Sequence, residues 1–134
     1  MSGLVIAIDG VVGAGKTSTA RMVARRLGYR HLDTGAMYRA VTVAATRRGI
    51  AADNTVALAS MLAALTIDLE SDGRVLLDGE DVSDAIRRPE VTYAVGAYSD
   101  KPVVRKALVA QQQRMGANGG VVAEGRDMAT VVFP

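Results

Sequence analysis

The sequence contains no cysteine and no tryptophan, and only one phenylalanine and one histidine among 134 residues. Without cysteine there is no disulfide, no thiol nucleophile and no Cys-based zinc site, a usage that fits a reducing compartment. Aromatic residues make up 4% of the chain against a hydrophobic fraction of 49%, so the core falls to aliphatic side chains and alanine. Charge of one sign is scarce too, because 16 basic and 14 acidic residues leave a net +2. That balance carries no footprint for nucleic acid, although clustered arginines can still serve small anions. No apolar run approaches the ~20 residues of a membrane span. The run that Asp9 cuts short has no charged leader, so a secretory signal is not expected. The expectation is one cytoplasmic domain of ordinary size, bound to no membrane.

What is present begins with a short apolar run that Asp9 ends, and its Leu4 to Ile8 predict a central parallel strand covered on both faces. A glycine-rich turn follows, and Gly10, Gly15, Lys16 and Thr17 match G-x-x-x-x-G-K-[ST] at every fixed position. Glycines let consecutive backbone N–H groups turn onto phosphate oxygens, and the start of the next helix adds its partial positive charge. Gly10, Val11, Val12, Gly13, Ala14, Gly15, Lys16, Thr17 and Ser18 are therefore the expected cradle of a nucleoside triphosphate. Lys16 is the residue that reaches the terminal phosphates, and the Thr17 hydroxyl is placed for Mg²⁺. A bland turn joining strand to helix is the competing reading, and the strand–turn–helix context weighs against it.

The next residues predict a helix with Met22, Val23 and Leu27 at helical spacing, stopped by Gly28, then a short strand at Tyr29 to Leu32. Asp33 and Thr34 look like helix-entry residues, with Met37, Val41 and Ala44 or Ala45 on one face and Gly49 closing the helix. Strand and helix alternating in this order predict an α/β domain with right-handed crossovers. A third helix is expected from Asn54 to Leu65. Period two then replaces the helical period, with Asp72-Gly73 and Asp78-Gly79 as turns, which predicts a small antiparallel meander inserted at 67–86. Pro89 and Pro102 suit two further helix starts, and Val121-Val122-Ala123 predicts a third parallel strand ending at Glu124-Gly125-Arg126-Asp127.

Asp33 to Arg39 and Glu124 to Asp127 thus fall at the carboxyl edge of the expected sheet, where open α/β sheets bind ligands. Arg39 reads either as a solvated helix charge or as a second phosphate contact one turn into its helix, and the neighbouring strand end favours the contact. His31 reads as a packed or rim histidine rather than a metal ligand or general base. Arg25-Arg26, Arg47-Arg48 and Arg87-Arg88 read as solvated faces near helix C-termini.

The chain resembles the bacterial cytidylate kinases. The resemblance rests on Ile8-Asp9-Gly10 with the phosphate loop, on Leu32-Asp33-Thr34-Gly35-Ala36-Met37-Tyr38-Arg39 and on Leu77-Asp78-Gly79-Glu80-Asp81-Val82 with Ile86-Arg87. Pro102-Val103-Val104-Arg105, the Gln111 to Arg114 stretch, and Glu124-Gly125-Arg126-Asp127 with Thr130 to Pro134 extend it along the chain. It implies a P-loop nucleoside-monophosphate kinase fold, a three-layer α/β/α parallel sheet whose core is 1–66 and 87–134, with the meander as the acceptor-binding region. It implies ATP with Mg²⁺ as phosphoryl donor and CMP or dCMP as acceptor. Carried over residue by residue, Lys16, Arg39 and Arg126 are catalytic. Asp33, Thr34, Arg39, Arg105, Arg126 and Asp127 bind the acceptor, with Arg105 and Asp127 facing the cytosine ring. An acceptor carboxylate at Asp127 matches the exocyclic amino group of cytosine and opposes the carbonyl of uracil.

The sequence departs from the family in having Val11-Val12 for a usual Pro-Ser, Gly96 about where the family has a cytosine-contacting serine, with Ser99 as the alternative, and Ala129 for a glycine. The family continues past Phe133-Pro134 into further strands and an arginine-rich lid, so the resemblance covers the N-terminal portion of its usual length. Without those strands the first strand is expected as an exposed apolar edge. A complete enzyme would be monomeric, and a truncated one would need a completing chain. Two other readings compete: a P-loop kinase for a different small acceptor, and a non-catalytic nucleotide-binding module.

Overall fold

The computed structural model describes residues 3–9, 16–70, 72–126 and 128–134. In chain order the elements are β1 (Val5–Asp9), α1 (Lys16–Leu27), β2 (Arg30–Asp33), α2 (Thr34–Arg47), α3 (Thr55–Ala64), β3 (Ile67–Leu69), β4 (Val75–Leu77), β5 (Glu80–Asp81), α4 (Pro89–Ser99), α5 (Pro102–Gly116) and β6 (Val121–Gly125). A 3₁₀ turn, Ala85–Arg87, precedes α4, and a π-helical turn, Met128–Val132, follows β6. The chain forms two compact units, Met1–Gly35 with Val109–Pro134, and Ala36–Leu108.

The first unit is built on a parallel sheet of order β1-β6-β2, with Ile6 opposite Val122 and Ile8 opposite Glu124. On the other side of β6, Asp33 lies opposite Glu124. The apolar first strand is therefore at the edge of the described sheet, and the centre belongs to β6, all five of whose residues are buried. A run apolar on both faces does not encode its rank in the sheet, because crossovers let the last strand slot beside the first. The edge position shows in Leu4 and Val5, exposed at 69% and 37%.

Helix α1 covers the face that carries Ile6, Ile8 and Val122. Its inward residues are Ala20, Val23 and Ala24 rather than Met22 and Leu27, which stay about half exposed. Positions 20, 23 and 24 share one helical face, and small alanines bring the helix close to the strands. Gly28, at a φ of 68°, ends the helix in the left-handed conformation expected of a C-terminal stop. On the opposite face the end of α5 reaches Val121 and Phe133. A Cβ on Gly116 would meet the Phe133 ring at 2.6 Å, so only glycine permits that approach. Gln113 Nε2 donates to the Val132 carbonyl at 3.1 Å and ties the π-helical turn to the same helix.

The second unit holds the meander. Strands β3 and β4 pair antiparallel with Ile67 opposite Leu77 and Leu69 opposite Val75, so these four apolar side chains share the buried face. The two-residue turn Asp78-Gly79 joins β4 to β5 with φ of 50° and 85°, the mirror-image turn that matches strand twist. Asp78 also accepts from the Thr66 backbone N–H at 2.8 Å. Asn54 caps α3 through Oδ1, which accepts from Ala57 N at 3.1 Å. Met37, Val41, Ala44 and Ala45 are buried along α2, and Leu58, Met61 and Leu62 along α3. Tyr98 on α4 donates its hydroxyl to the Ile50 carbonyl at 2.6 Å.

Candidate functional site

Parallel strands send their carboxyl ends to one side, and the register sets Asp9, Glu124 with Gly125, and Asp33 side by side there. Glu124 is the hub of this edge. It is 2% exposed, a burial that a carboxylate tolerates only when its oxygens are bonded. Oε2 accepts from the Thr17 hydroxyl at 3.0 Å, and Oε1 lies 2.8 Å from His31 Nε2. The buried Thr34 hydroxyl donates to the Glu124 backbone carbonyl at 2.7 Å, which fixes the turn from β2 into α2 beside the end of β6. Asp9 Oδ1 accepts from the Met128 backbone N–H at 2.5 Å and holds the start of the π-helical turn against the end of β1.

Of the expected phosphate cradle, residues 10–15 lie outside the described residues, as does Asp127. Lys16 is the first residue of α1, and Thr17 stands one position further on with its hydroxyl turned to Glu124. Ser18 is exposed. Arg126 is exposed directly after β6, and Asp33 is half-buried at the end of β2. The structure thus brings Thr17, Thr34 and Glu124 into one bonded group.

Arg39 and Arg105 belong to the second unit. Arg39 Nη1 donates to the Ile86 carbonyl at 3.0 Å and to the Thr92 hydroxyl at 3.0 Å, so its guanidinium is anchored rather than splayed into solvent. Arg105 is half-buried on α5. Arg47 and Arg48 are exposed, but not merely solvated. Arg47 makes a two-pronged contact with Glu80 at 2.9 and 3.1 Å, and Arg48 approaches Asp78 at 3.7 Å. Both pairs link the end of α2 to the meander within the same unit.

The sequence places Glu124 on the rim without a role, and His31 as a packed or rim histidine. A carboxylate closing the apolar run Val121-Val122-Ala123 was the available signal, since a buried charge requires partners. Thr92 gave none, because only the folded chain places it by Arg39.

Among the described residues no group of three or more His, Cys, Asp or Glu is placed to hold a metal ion. The donors at the sheet edge are a hydroxyl and carboxylates. That set suits Mg²⁺, which takes few protein ligands and completes its shell with phosphate oxygens and water. No helix of the described residues is long and apolar enough to cross a membrane.

The sequence motif G-x-x-x-x-G-K-[ST] between a parallel strand and a helix, with a threonine hydroxyl bonded to the acid near the end of the neighbouring strand, defines a P-loop α/β fold. Within that class, a family model for cytidylate kinase matches residues 6–134. The chain is 50% identical over 136 residues to a cytidylate kinase of a Geobacter species, covering 99% of this chain and 58% of that protein. It is likewise 50% identical over 135 residues to a cytidylate kinase of Geobacter sulfurreducens, covering 98% and 58%. A bifunctional pantoate ligase/cytidylate kinase of a Synechococcus species is 50% identical over 133 residues, 96% of this chain and 28% of that protein. The chain belongs to the cytidylate kinase family, with its P-loop nucleoside-monophosphate kinase fold. It spans 58% of the length of the two Geobacter relatives.

Proposed function

We propose that the protein transfers the γ-phosphoryl group of ATP to CMP or dCMP, giving the nucleoside diphosphate and ADP. The observation that carries this reading is the bonded pair of Thr17 and Glu124 at the end of the motif-bearing loop, in a chain of this family. Residues 10–18 hold the ATP phosphates, Lys16 neutralises charge on the terminal phosphates, and Thr17 offers its hydroxyl oxygen to Mg²⁺. Bound Mg²⁺ supplies charge neutralisation on the phosphates and a template for in-line transfer. A hydroxyl has one proton and two lone pairs. With its proton committed to Glu124, Thr17 keeps its lone pairs available to a cation.

Arg39 and Arg126 bind the acceptor phosphate, Asp33 and Thr34 contact the acceptor nucleotide, and Arg105 and Asp127 read the cytosine. The meander at 67–86 serves as the acceptor-binding insertion on a core formed by 1–66 and 87–134. Transfer needs no covalent intermediate, because positioning and charge neutralisation supply the rate. The protein works in the cytoplasm, as a monomer if complete and with a completing chain if truncated, on small molecules and without nucleic acid or membrane.

The test is calorimetric titration of the purified chain with CMP, AMP and UMP, followed by a coupled assay for ADP release. Saturable heat with CMP alone and CMP-dependent ADP release support the proposal. ATP binding without turnover on any acceptor points to a non-catalytic nucleotide-binding module instead, and turnover on AMP or UMP alone to a different acceptor class.

A further inference from the structure

We propose that His31 is a positioning residue of the phosphate site: it holds the Glu124 carboxylate so that Oε2 stays on the Thr17 hydroxyl. The inference rests on the reading of Thr17 as the residue that offers its oxygen to the nucleotide-bound cation. His31 is the sole histidine of the chain, and its side chain is 18% exposed beside a carboxylate that is 2% exposed. A glutamate side chain has three rotatable bonds, and a single hydrogen bond to Thr17 leaves the second oxygen free to swing. Nε2 of His31, 2.8 Å from Oε1, removes that freedom. In the tautomer that carries its proton on Nε2, His31 donates to Oε1.

The three groups form a chain of orientation. Residue 31 lies on β2 opposite Val122, two positions before Glu124 on β6, so its side chain stands on the same face of the sheet as the carboxylate. His31 fixes Glu124, Glu124 takes the Thr17 proton, and Thr17 is left with its lone pairs aimed away from the carboxylate. Outer partners of this kind govern how well an inner ligand binds, typically by about 10- to 100-fold. His31 touches neither phosphate nor metal in this account.

The experiment compares His31→Leu and His31→Gln with the unaltered chain, reading Mn²⁺ affinity at saturating ATP by electron paramagnetic resonance. ATP affinity in chelator and urea stability are the companion measurements. Gln reaches about as far as the imidazole Nε2 and keeps a neutral donor there, whereas Leu keeps bulk without a donor. The expected result is a loss of about 10-fold or more in Mn²⁺ affinity for His31→Leu. Metal-free ATP affinity should hold, and His31→Gln should recover most of the lost Mn²⁺ affinity. Unchanged Mn²⁺ affinity in His31→Leu overturns the inference and leaves the kinase reading standing. A parallel fall in stability and metal-free ATP affinity that Gln does not repair also overturns it, since that marks a packing role. Failure of the unaltered chain to bind ATP with Mn²⁺ sinks both.

Discussion

The Thr34 hydroxyl occupies the space where a Cβ on Gly125 would stand, and the same hydroxyl donates to the Glu124 carbonyl at 2.7 Å. Gly125 also sits at a φ of 154°, a backbone setting that side chains rarely adopt. Strand β6 can therefore end beside the start of α2 only if position 125 has no side chain. Gly125→Ala is expected to push Thr34 off its acceptor and lower stability by about 1–3 kcal/mol, the usual cost of overpacking. Urea denaturation of the purified variant measures this. An unchanged midpoint would mean that the strand end relaxes freely.

Arg39 is held by the Ile86 carbonyl and the Thr92 hydroxyl through one nitrogen, Nη1. The remaining guanidinium donors keep a fixed fork, which suits two oxygens of a phosphate. Lysine retains the charge but has neither the fork nor the two anchors. Arg39→Lys is expected to raise KM for the acceptor by about 10- to 100-fold, matching the 1.5–3 kcal/mol of a charged hydrogen bond. KM for ATP should move little. Equal effects on both substrates would detach Arg39 from the acceptor.

Much of the fold was legible because its signals are local. The Asp78-Gly79 turn, the Asn54 cap, Gly28 after α1 and proline at the first position of α4 each report a backbone conformation that few other residues adopt. The apolar run by itself does not give the rank of β1, since it looks alike at edge and centre while pairing depends on β6, more than a hundred residues away. The exposed edge is expected only through the family resemblance. Of the residues at helical spacing in α1, Val23 packs inward while Met22 and Leu27 do not, for a related reason. Met22 and Leu27 are the bulkier residues, yet Ala20 and Ala24 face the strands because close approach favours small side chains. In the site, the loop and Thr17 carried a spacing signature. The His31–Glu124–Thr17 chain and the Thr92 anchor arise from tertiary pairing and have no sequence period.

Glu124 offers a separation of charge from shape. Glutamine at this position keeps the length and can still accept from Thr17, or turn its amide so that Thr17 accepts instead. Glu124→Gln is expected to change stability by less than about 1 kcal/mol, the scale of one rearranged hydrogen bond. Its phosphoryl-transfer rate should fall by about 10- to 100-fold, because the charge that orients the Thr17 proton is gone. Rate and urea midpoint measured on one preparation decide this. A variant as active as the unaltered protein would remove Glu124 from the chemistry.

The meander responds to acid in a direction set by two exposed carboxylates. Asp72 accepts from the Arg74 backbone N–H at 3.1 Å and from Arg74 Nε at 2.8 Å, and these bonds hold its carboxyl below the ordinary 3.8. The Ser83 hydroxyl, at 2.6 Å, and the Ser83 backbone N–H, at 3.0 Å, do the same for Asp81. A carboxyl whose folded value lies below its unfolded value stabilises the fold fully above the unfolded value. That contribution is lost as pH falls through the folded one. The difference in urea midpoint between the unaltered chain and an Asp72→Asn/Asp81→Asn double variant should be constant from neutral pH down to about pH 5, then shrink below about pH 4. A difference that instead grew on acidification would reverse the sign and place the native-state strain, rather than the stabilisation, at these two turns.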